Sequence, residues 1–218
     1  MRIPLTPYGL REIAIGTVAF LLGVAIVGWL FWPAGVAMGL LWLGLLAFFR
    51  DPDRHIPDVP DALLSPADGT VWDVEVTDPP GDFLGEPALR IGIFMSLLNV
   101  HVNRSPVSGM VRWVQYFPGS SRDARSRSAA LENEHNLVGI ETREGRCVLV
   151  NQIAGMIARR VVCQAVVGQP VEAGERFGMV KFGSRVELFV PQRDKVDVKV
   201  QIGDKVRGGV DILAVFTA

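Results

Sequence analysis

The apolar residues of the chain fall into two contrasting textures. From Ile13 to Trp32 the run IAIGTVAFLLGVAIVGWLFW carries no charge, about the length that crosses a bilayer core. Pro33-Ala34-Gly35 then interrupts it, and VAMGLLWLGLLAFF continues to Phe49. This second piece is short for a perpendicular span. It completes a tight hairpin with Trp29, Trp32 and Trp42 near interfaces, or lies partly in one leaflet. A helical pair buried in a soluble core is the rarer source of such unbroken apolarity. Arg50-Asp51-Pro52-Asp53-Arg54 and the prolines at 57 and 60 make a polar, stiff exit. From Leu63 the texture changes to short runs rich in β-branched and aromatic residues, bounded by glycine: VWDVEV, LRIGIFM, MVRWVQYF, LVGIETREGRCVLVNQIA and RRVVCQAVV. Only the stretch around Ala124 to Glu134 reads as helical or irregular. The expected architecture is mainly β, with a membrane-anchoring helical hairpin over residues 1–54 and an all-β domain over 55–218.

Charge and composition narrow the function classes. A formal net charge of −1 argues against a broad nucleic-acid surface. Cys147 and Cys163 lie far apart without metal-ligand spacing, so a pair of buried free thiols on a reducing side is expected, and no metal site. No small-residue cleavage site precedes a polar start, so the apolar segment is not expected to be a removed leader. Arg2 and Arg11 flank one end of the apolar region, and Arg50 and Arg54 the other. If both pieces cross, both ends lie on the cytoplasmic side.

The stretch VEAGERFGMVKFGSRVELFVP, Val171 to Pro191, reads as strand, turn and strand, with Gly183-Ser184-Arg185 at the turn. Its spacing resembles the hammerhead of lipoyl and biotinyl carrier domains, which makes the β domain barrel-sandwich or hammerhead-like. Gly174-Glu175 and Gly203-Asp204 stand as the two Gly-acidic pairs of that pattern, and the carrier lysine's position falls on Ser184. A weak internal repeat also runs through the domain: Ser65-Pro66-Ala67-Asp68-Gly69-Thr70-Val71 echoes Ser105-Pro106-Val107-Ser108-Gly109-Met110-Val111. Turn chemistry accounts for the shared Ser-Pro and Gly. Asp68 is not required by the turn, since Ser108 is its counterpart; capping its own turn is the commoner role for it, and catalysis the sharper one. His101 follows an apolar strand and is open to a structural or a catalytic reading. His55 and His135 read as solvated.

Taken in order, the apolar anchor, FFRDPDR, SPADG, NVHVNRSPVSG, the Glu132-Asn133-Glu134 run after an Arg-rich loop, and FGSR resemble the phosphatidylserine decarboxylase family in its short bacterial form. The resemblance runs from about Phe48 to the end of the chain. It implies a proenzyme that cuts itself between Gly183 and Ser184 and converts Ser184 to a pyruvoyl group. The Ser184 hydroxyl attacks the carbonyl of Gly183, exchanging amide for ester; elimination leaves dehydroalanine, and addition of water with loss of ammonia gives the ketone. Gly183 suits the strained turn such attack needs. The hydroxyl needs a base. His101 oriented by Asp68 is the candidate, with the logic of a serine-protease triad.

The resemblance further implies a large subunit, 1–183, and a small one, 184–218, held together by shared strands. Phosphatidylserine in the membrane condenses with the ketone as a Schiff base, which serves as electron sink for loss of carbon dioxide. His101 could return the proton, and hydrolysis yields phosphatidylethanolamine. A homo-oligomer is compatible with this reading, and the implied location is the bacterial inner membrane with the catalytic domain on the cytoplasmic side. Arg122, Arg125 and Arg127 read equally as a head-group contact or an exposed basic loop. One departure stands out. Longer members carry His-x-x-His here, whereas this chain keeps His101 and places Arg104 at the second position; either His101 does both jobs or another group substitutes. The rivals are a non-enzymatic membrane-anchored adaptor of a secretion system, and a biotinyl carrier using Lys181.

Overall fold

The computed structural model describes residues 4–28, 31–120, 122, 132–155, 160–181 and 184–217. The chain forms two compact units, residues 1–53 and 54–218.

In the first unit a short 3-10 turn, Pro7–Gly9, leads into α1 (Leu10–Gly23), which loosens into one π turn at Val24–Gly28. The second helix, α2 (Trp32–Phe48), has Pro33 in its first turn, where the missing N–H is not needed. The residue expected to break the apolar run therefore starts its second helix. The two helices pack antiparallel through small residues. A Cβ on Gly16 would come 2.3 Å from Leu45, and one on Gly23 would come 1.8 Å from Met38. Between them Phe20 stacks on Trp42 at 5.2 Å, and the Trp42 indole N–H donates to Thr17 Oγ1 at 3.0 Å. Ile15, Leu22, Leu40 and Leu41 face outward and exposed, and α1 buries none of its residues. That is unlike the buried helix pair of a soluble core. The helical run Pro7–Val27, 21 residues with mean hydropathy 2.0, is long and apolar enough to cross a bilayer.

The second unit is mainly β. Its strands are β1 (Ala62–Leu64), β2 (Gly69–Thr77), β3 (Ala88–Met95), β4 (Val102–Arg104), β5 (Gly109–Phe117), β6 (His135–Glu141) and β7 (Cys147–Ile153), then β8 (Val161–Cys163), β9 (Pro170–Val171), β10 (Arg176–Val180), β11 (Ser184–Pro191), β12 (Val196–Val198), β13 (Lys205–Val206) and β14 (Ile212–Phe216). Among the described residues, eight strands join one sheet in the order β13-β2-β3-β11-β7-β6-β5-β9, and two three-stranded sheets run β1-β14-β12 and β4-β10-β8.

The large sheet reads as a palindrome about the β11–β7 pair, and each small sheet matches the other. The local chemistry repeats as well. Leu64 N–H donates to the Pro106 carbonyl and Arg104 N–H to that of Pro66, both at 2.9 Å. Ser65 Oγ donates to Ala67 O at 2.7 Å and Ser105 Oγ to Val107 O at 2.6 Å. The bulge between Val71 and Asp73 has its mate between Val111 and Trp113. The Ser-Pro-x-x-Gly-x-Val phrase is thus the visible remnant of a whole-domain duplication, of which turn chemistry is only the local part. The duplication also regroups the Gly-acidic pairs. Gly174 matches Gly209, their N–H groups reaching Ser105 O and Ser65 O, whereas Gly203 matches Gly168, reaching Val71 O and Val111 O.

One copy is inserted in the other. The second copy, β4 to β10, enters after β3 and leaves before β11. Its own counterpart of that junction is the tight turn between β6 and β7, where Thr142 N–H bonds Arg146 O at 2.8 Å. The insertion begins after β3, through residues 96–101, and ends between β10 and β11.

The sheet is covered on both faces. Along β11, Val186, Leu188 and Val190 join Ile91, Ile93, Val138, Val148 and Val150 in the main core. Phe189 points the other way, to a smaller cluster with Leu84, Leu137 and Leu149. Every residue of β11 is buried, as expected of a central strand with no solvent face.

Candidate active site

Ser184 is the first residue of β11 and pairs in register with Met95, the last of β3. It is fully buried, with its hydroxyl donating to Met95 Sδ at 3.3 Å. Phe182 and Gly183, and with Gly183 the expected cut, lie outside the described residues. His101 stands where the insertion begins. It too is fully buried; its Nδ1 meets Asn99 O at 3.0 Å, and its carbonyl accepts the Val180 N–H at 3.3 Å. Val180 is four residues before Ser184, a reach of at most roughly 14 Å of chain. The fold therefore brings the His101 and Ser184 segments to one end of the large sheet.

Asp68 is engaged elsewhere. Its two carboxylate oxygens take the Arg54 guanidinium at 2.5 and 2.8 Å, and Oδ1 also accepts the Gly208 N–H at 2.8 Å. The second contact caps a turn 140 residues away rather than Asp68's own turn, the cap expected of it, and Ser108 makes the matching bond to Ala173 N–H in the other copy. The first explains the second arginine of FFRDPDR. The pair differs from the expected arrangement, in which Asp68 would orient His101: a backbone carbonyl sits at Nδ1 instead. Asp68→Asn and Arg54→Met are each expected to cost about 1.5–3 kcal/mol, read as equal falls in thermal or denaturant midpoint. If Asp68 works through Arg54, the double variant falls no further than either single one.

Arg104, at the position of the longer members' second histidine, is buried and donates to Gly174 O at 3.0 Å. A guanidinium keeps its proton, so this side chain clamps the turns of the duplication and supplies no base. Lys181 is buried, which is incompatible with a swinging carrier lysine. Arg122 is exposed and paired with Glu132 at 2.9 Å; Arg125 and Arg127 lie outside the described residues, as does most of the stretch read as helical or irregular. His135, expected to be solvated, is buried against Phe117 at 4.6 Å with Nδ1 at Asn133 O. His55 is exposed as expected. Cys147 and Cys163 are free and half-buried, and burial pushes both thiols up, away from nucleophilic thiolate.

Several residues of this region escaped sequence reasoning. Gln152, beside Val186 of β11, donates to Asn103 Oδ1 at 2.8 Å and lies 3.4 Å from the Asn136 amide. These buried amides line the core face of the sheet near its Ser184 end. Asn133 holds the adjoining loop, accepting the Arg122 N–H at 2.8 Å and donating to Ala154 O at 2.7 Å. The signal available was a polar residue at a core-facing strand position, as in VNQIA.

The outward face of β11 carries an ionic network. Arg185 reaches Asp73 and Glu187, both at 2.7 Å. Arg90 binds Asp73 at 3.1 Å, pairs with Glu75, and lies 3.5 Å from Glu187. Asn151 donates to Glu187 at 3.1 Å. Gly92 makes room, because a Cβ there would stand 2.6 Å from Asp73 Oδ1. Burial pushes the Glu187 carboxyl upward, against the pull of Arg185, Arg90 and the Asn151 amide. The residue next to Ser184 is thereby pinned from the opposite face.

Comparison with known proteins points to one family. A family model described as phosphatidylserine decarboxylase matches residues 44–214. A protein of Nitrosomonas eutropha is 44% identical over 198 residues, covering 91% of this chain and 90% of its own. Proteins of Burkholderia ambifaria and Burkholderia vietnamiensis are each 44% identical over 203 residues, covering 93% of this chain and 91% of theirs. All three carry the name phosphatidylserine decarboxylase proenzyme.

Proposed function

The chain belongs to the phosphatidylserine decarboxylase family, and on that premise we propose that it cuts itself between Gly183 and Ser184 and then decarboxylates phosphatidylserine in the bilayer. The observation that carries the reading is a serine sealed at the head of a central strand, at the same end of the sheet as His101. Burial removes water from a step whose ester it would hydrolyse. The Ser184 oxygen forms a bond to the Gly183 carbonyl carbon, the bond from that carbon to the Ser184 nitrogen breaks, and the proton passes from oxygen to nitrogen. His101 is assigned as the base and Ser184 as the nucleophile. With Nδ1 at the Asn99 carbonyl, the ring holds its proton there and offers Nε2 as the basic nitrogen. The role given to Asp68 is charge placement through Arg54.

A pyruvoyl group has no more heavy atoms than the serine it replaces, so it fits beside Met95 without displacing it. Such a group supplies an electrophilic carbonyl and an electron sink for decarboxylation. The chain's own part is to hold that position between β3 and β7 and to return a proton from His101. The anchor keeps the domain beside its lipid substrate, with the domain on the cytoplasmic side.

Intact-mass analysis of the detergent-purified protein tests the cut: two fragments meeting at Gly183/Ser184, the smaller blocked at its N-terminus, are expected. A single uncut mass in a preparation that releases carbon dioxide from phosphatidylserine would refute the pyruvoyl mechanism. His101→Ala is expected to slow cutting, and its cut fraction to lose about 10²–10⁴-fold in carbon dioxide release. Wild-type rates in this variant would remove His101 from the assignment.

A further inference from the structure

Between Met95, which touches Ser184, and His101 lies a turn with unusual corners. Asn99 Oδ1 accepts the Ser96 N–H at 2.9 Å and the Ser96 hydroxyl at 2.7 Å, and the Asn99 N–H returns to Ser96 O at 3.0 Å. These bonds make the loop a clamped turn. Corner positions favour Gly, Pro, Asn, Asp or Ser, yet here they are Leu97 and Leu98, 46% and 84% exposed.

The neighbouring surface continues the theme. Trp72 is 44% exposed and its ring lies 5.9 Å from Phe94, which immediately precedes Met95. Lys205 is exposed at the edge of the same rung, Lys205–Thr70–Phe94. A rigid apolar tip, a tryptophan beside it and a basic rim match the interfacial zone of a bilayer, where aromatic rings sit at head-group depth and lysine meets anionic lipid.

Resting on the decarboxylase reading, we propose that the Leu97–Leu98 turn inserts into the lipid surface and delivers the head group to the site. Both ends of the turn bear on that site: Ser96 follows the sulfur neighbour of Ser184, and the Asn99 carbonyl holds His101 Nδ1. An inserted tip opens the reaction end of the sheet toward a substrate whose acyl chains stay in the membrane. The anchor supplies tethering; the turn supplies orientation.

The test uses the full chain in vesicles of phosphatidylcholine and phosphatidylserine, with Leu97→Asn/Leu98→Asn beside wild type. Self-cutting is read by intact mass. Carbon dioxide release is measured from bilayer phosphatidylserine and from a short-chain phosphatidylserine dispersed as monomers. The expected result is unchanged cutting, unchanged turnover of the monomeric substrate, and a bilayer activity lowered about tenfold through apparent KM rather than kcat. A photoactivatable residue in place of Leu98 is expected to form its adduct with lipid. Equal rates on both substrates, an equal loss on both, or an adduct with protein instead of lipid would overturn the proposal. Because the adduct is read whether or not the chain turns over, an inactive wild type would refute the reaction reading and still leave the turn decided.

Discussion

Ser184→Ala is expected to yield a single uncut chain whose carbon dioxide release falls to background. The substitution removes the only atom assigned to attack Gly183, and with it the source of the electrophile; no partial rate survives as it would after losing a positioning group. Enzymatic acceleration begins at about 10⁶-fold, so the expected loss spans the whole measurable range. Stability should hardly move. The hydroxyl's contact in the structure is the weak acceptor Met95 Sδ at 3.3 Å, and alanine fills nearly the same space in a buried strand. Intact mass, thermal midpoint and carbon dioxide release measured on one preparation separate these effects. A cut Ser184→Ala chain, or one that still decarboxylates, would show the nucleophile to be misassigned.

The second large effect is on stability. Arg185→Met leaves Glu187 and Asp73 on the outward face of β11 without the guanidinium that meets both at 2.7 Å. Removing one member of a buried ion pair costs about 3–5 kcal/mol, because the remaining charge stays desolvated. Arg90 softens this, being already bound to Asp73 and near Glu187, so a value toward the lower end is expected from urea unfolding of the uncut Ser184→Ala background. Adding Glu187→Gln should recover part of the loss, since the amide needs no counter-charge. If the double variant is less stable than Arg185→Met alone, the charge argument fails and the network's worth lies in shape.

The strands of the β unit were legible because alternation and glycine punctuation survive in runs such as VWDVEV and LRIGIFM. The helical hairpin was legible for a simpler reason: an uncharged apolar run of bilayer length is costly to keep in water and finds its natural solvent in lipid. The ionic network was not. Burial of Arg185 and Glu187 in RVELFV follows from Asp73, Arg90 and Asn151 on three other strands, which no local window contains. His135 misled in the same way, sitting in a charged run yet covered by Phe117. The site was half readable. Ser184 and His101 stood out through ordered motifs. The partner of Asp68 did not, because Arg54 lies in the stiff exit from the apolar region and reaches it only through the fold. The duplication left one short phrase in sequence because backbone bonds, such as Leu64 to Pro106 and Arg104 to Pro66, do not depend on side-chain identity.

The insertion of one copy inside the other has a consequence for the life history of the molecule. Residues 184–218 supply β11, which lies between β3 and β7, together with β13 against β2 and β14 between β1 and β12. If the chain is cut as proposed, this piece is woven through the large fragment at three places and would leave only when the whole β unit unravels. Return is another matter. Before the cut, β11 finds its slot as part of one molecule, at the high effective concentration of a tether; afterwards the same pairing is a bimolecular search that slows with dilution. Under the proposed cut, the processed form would therefore persist through slow unfolding rather than ready refolding, and the uncut chain would be the template that its products could no longer provide.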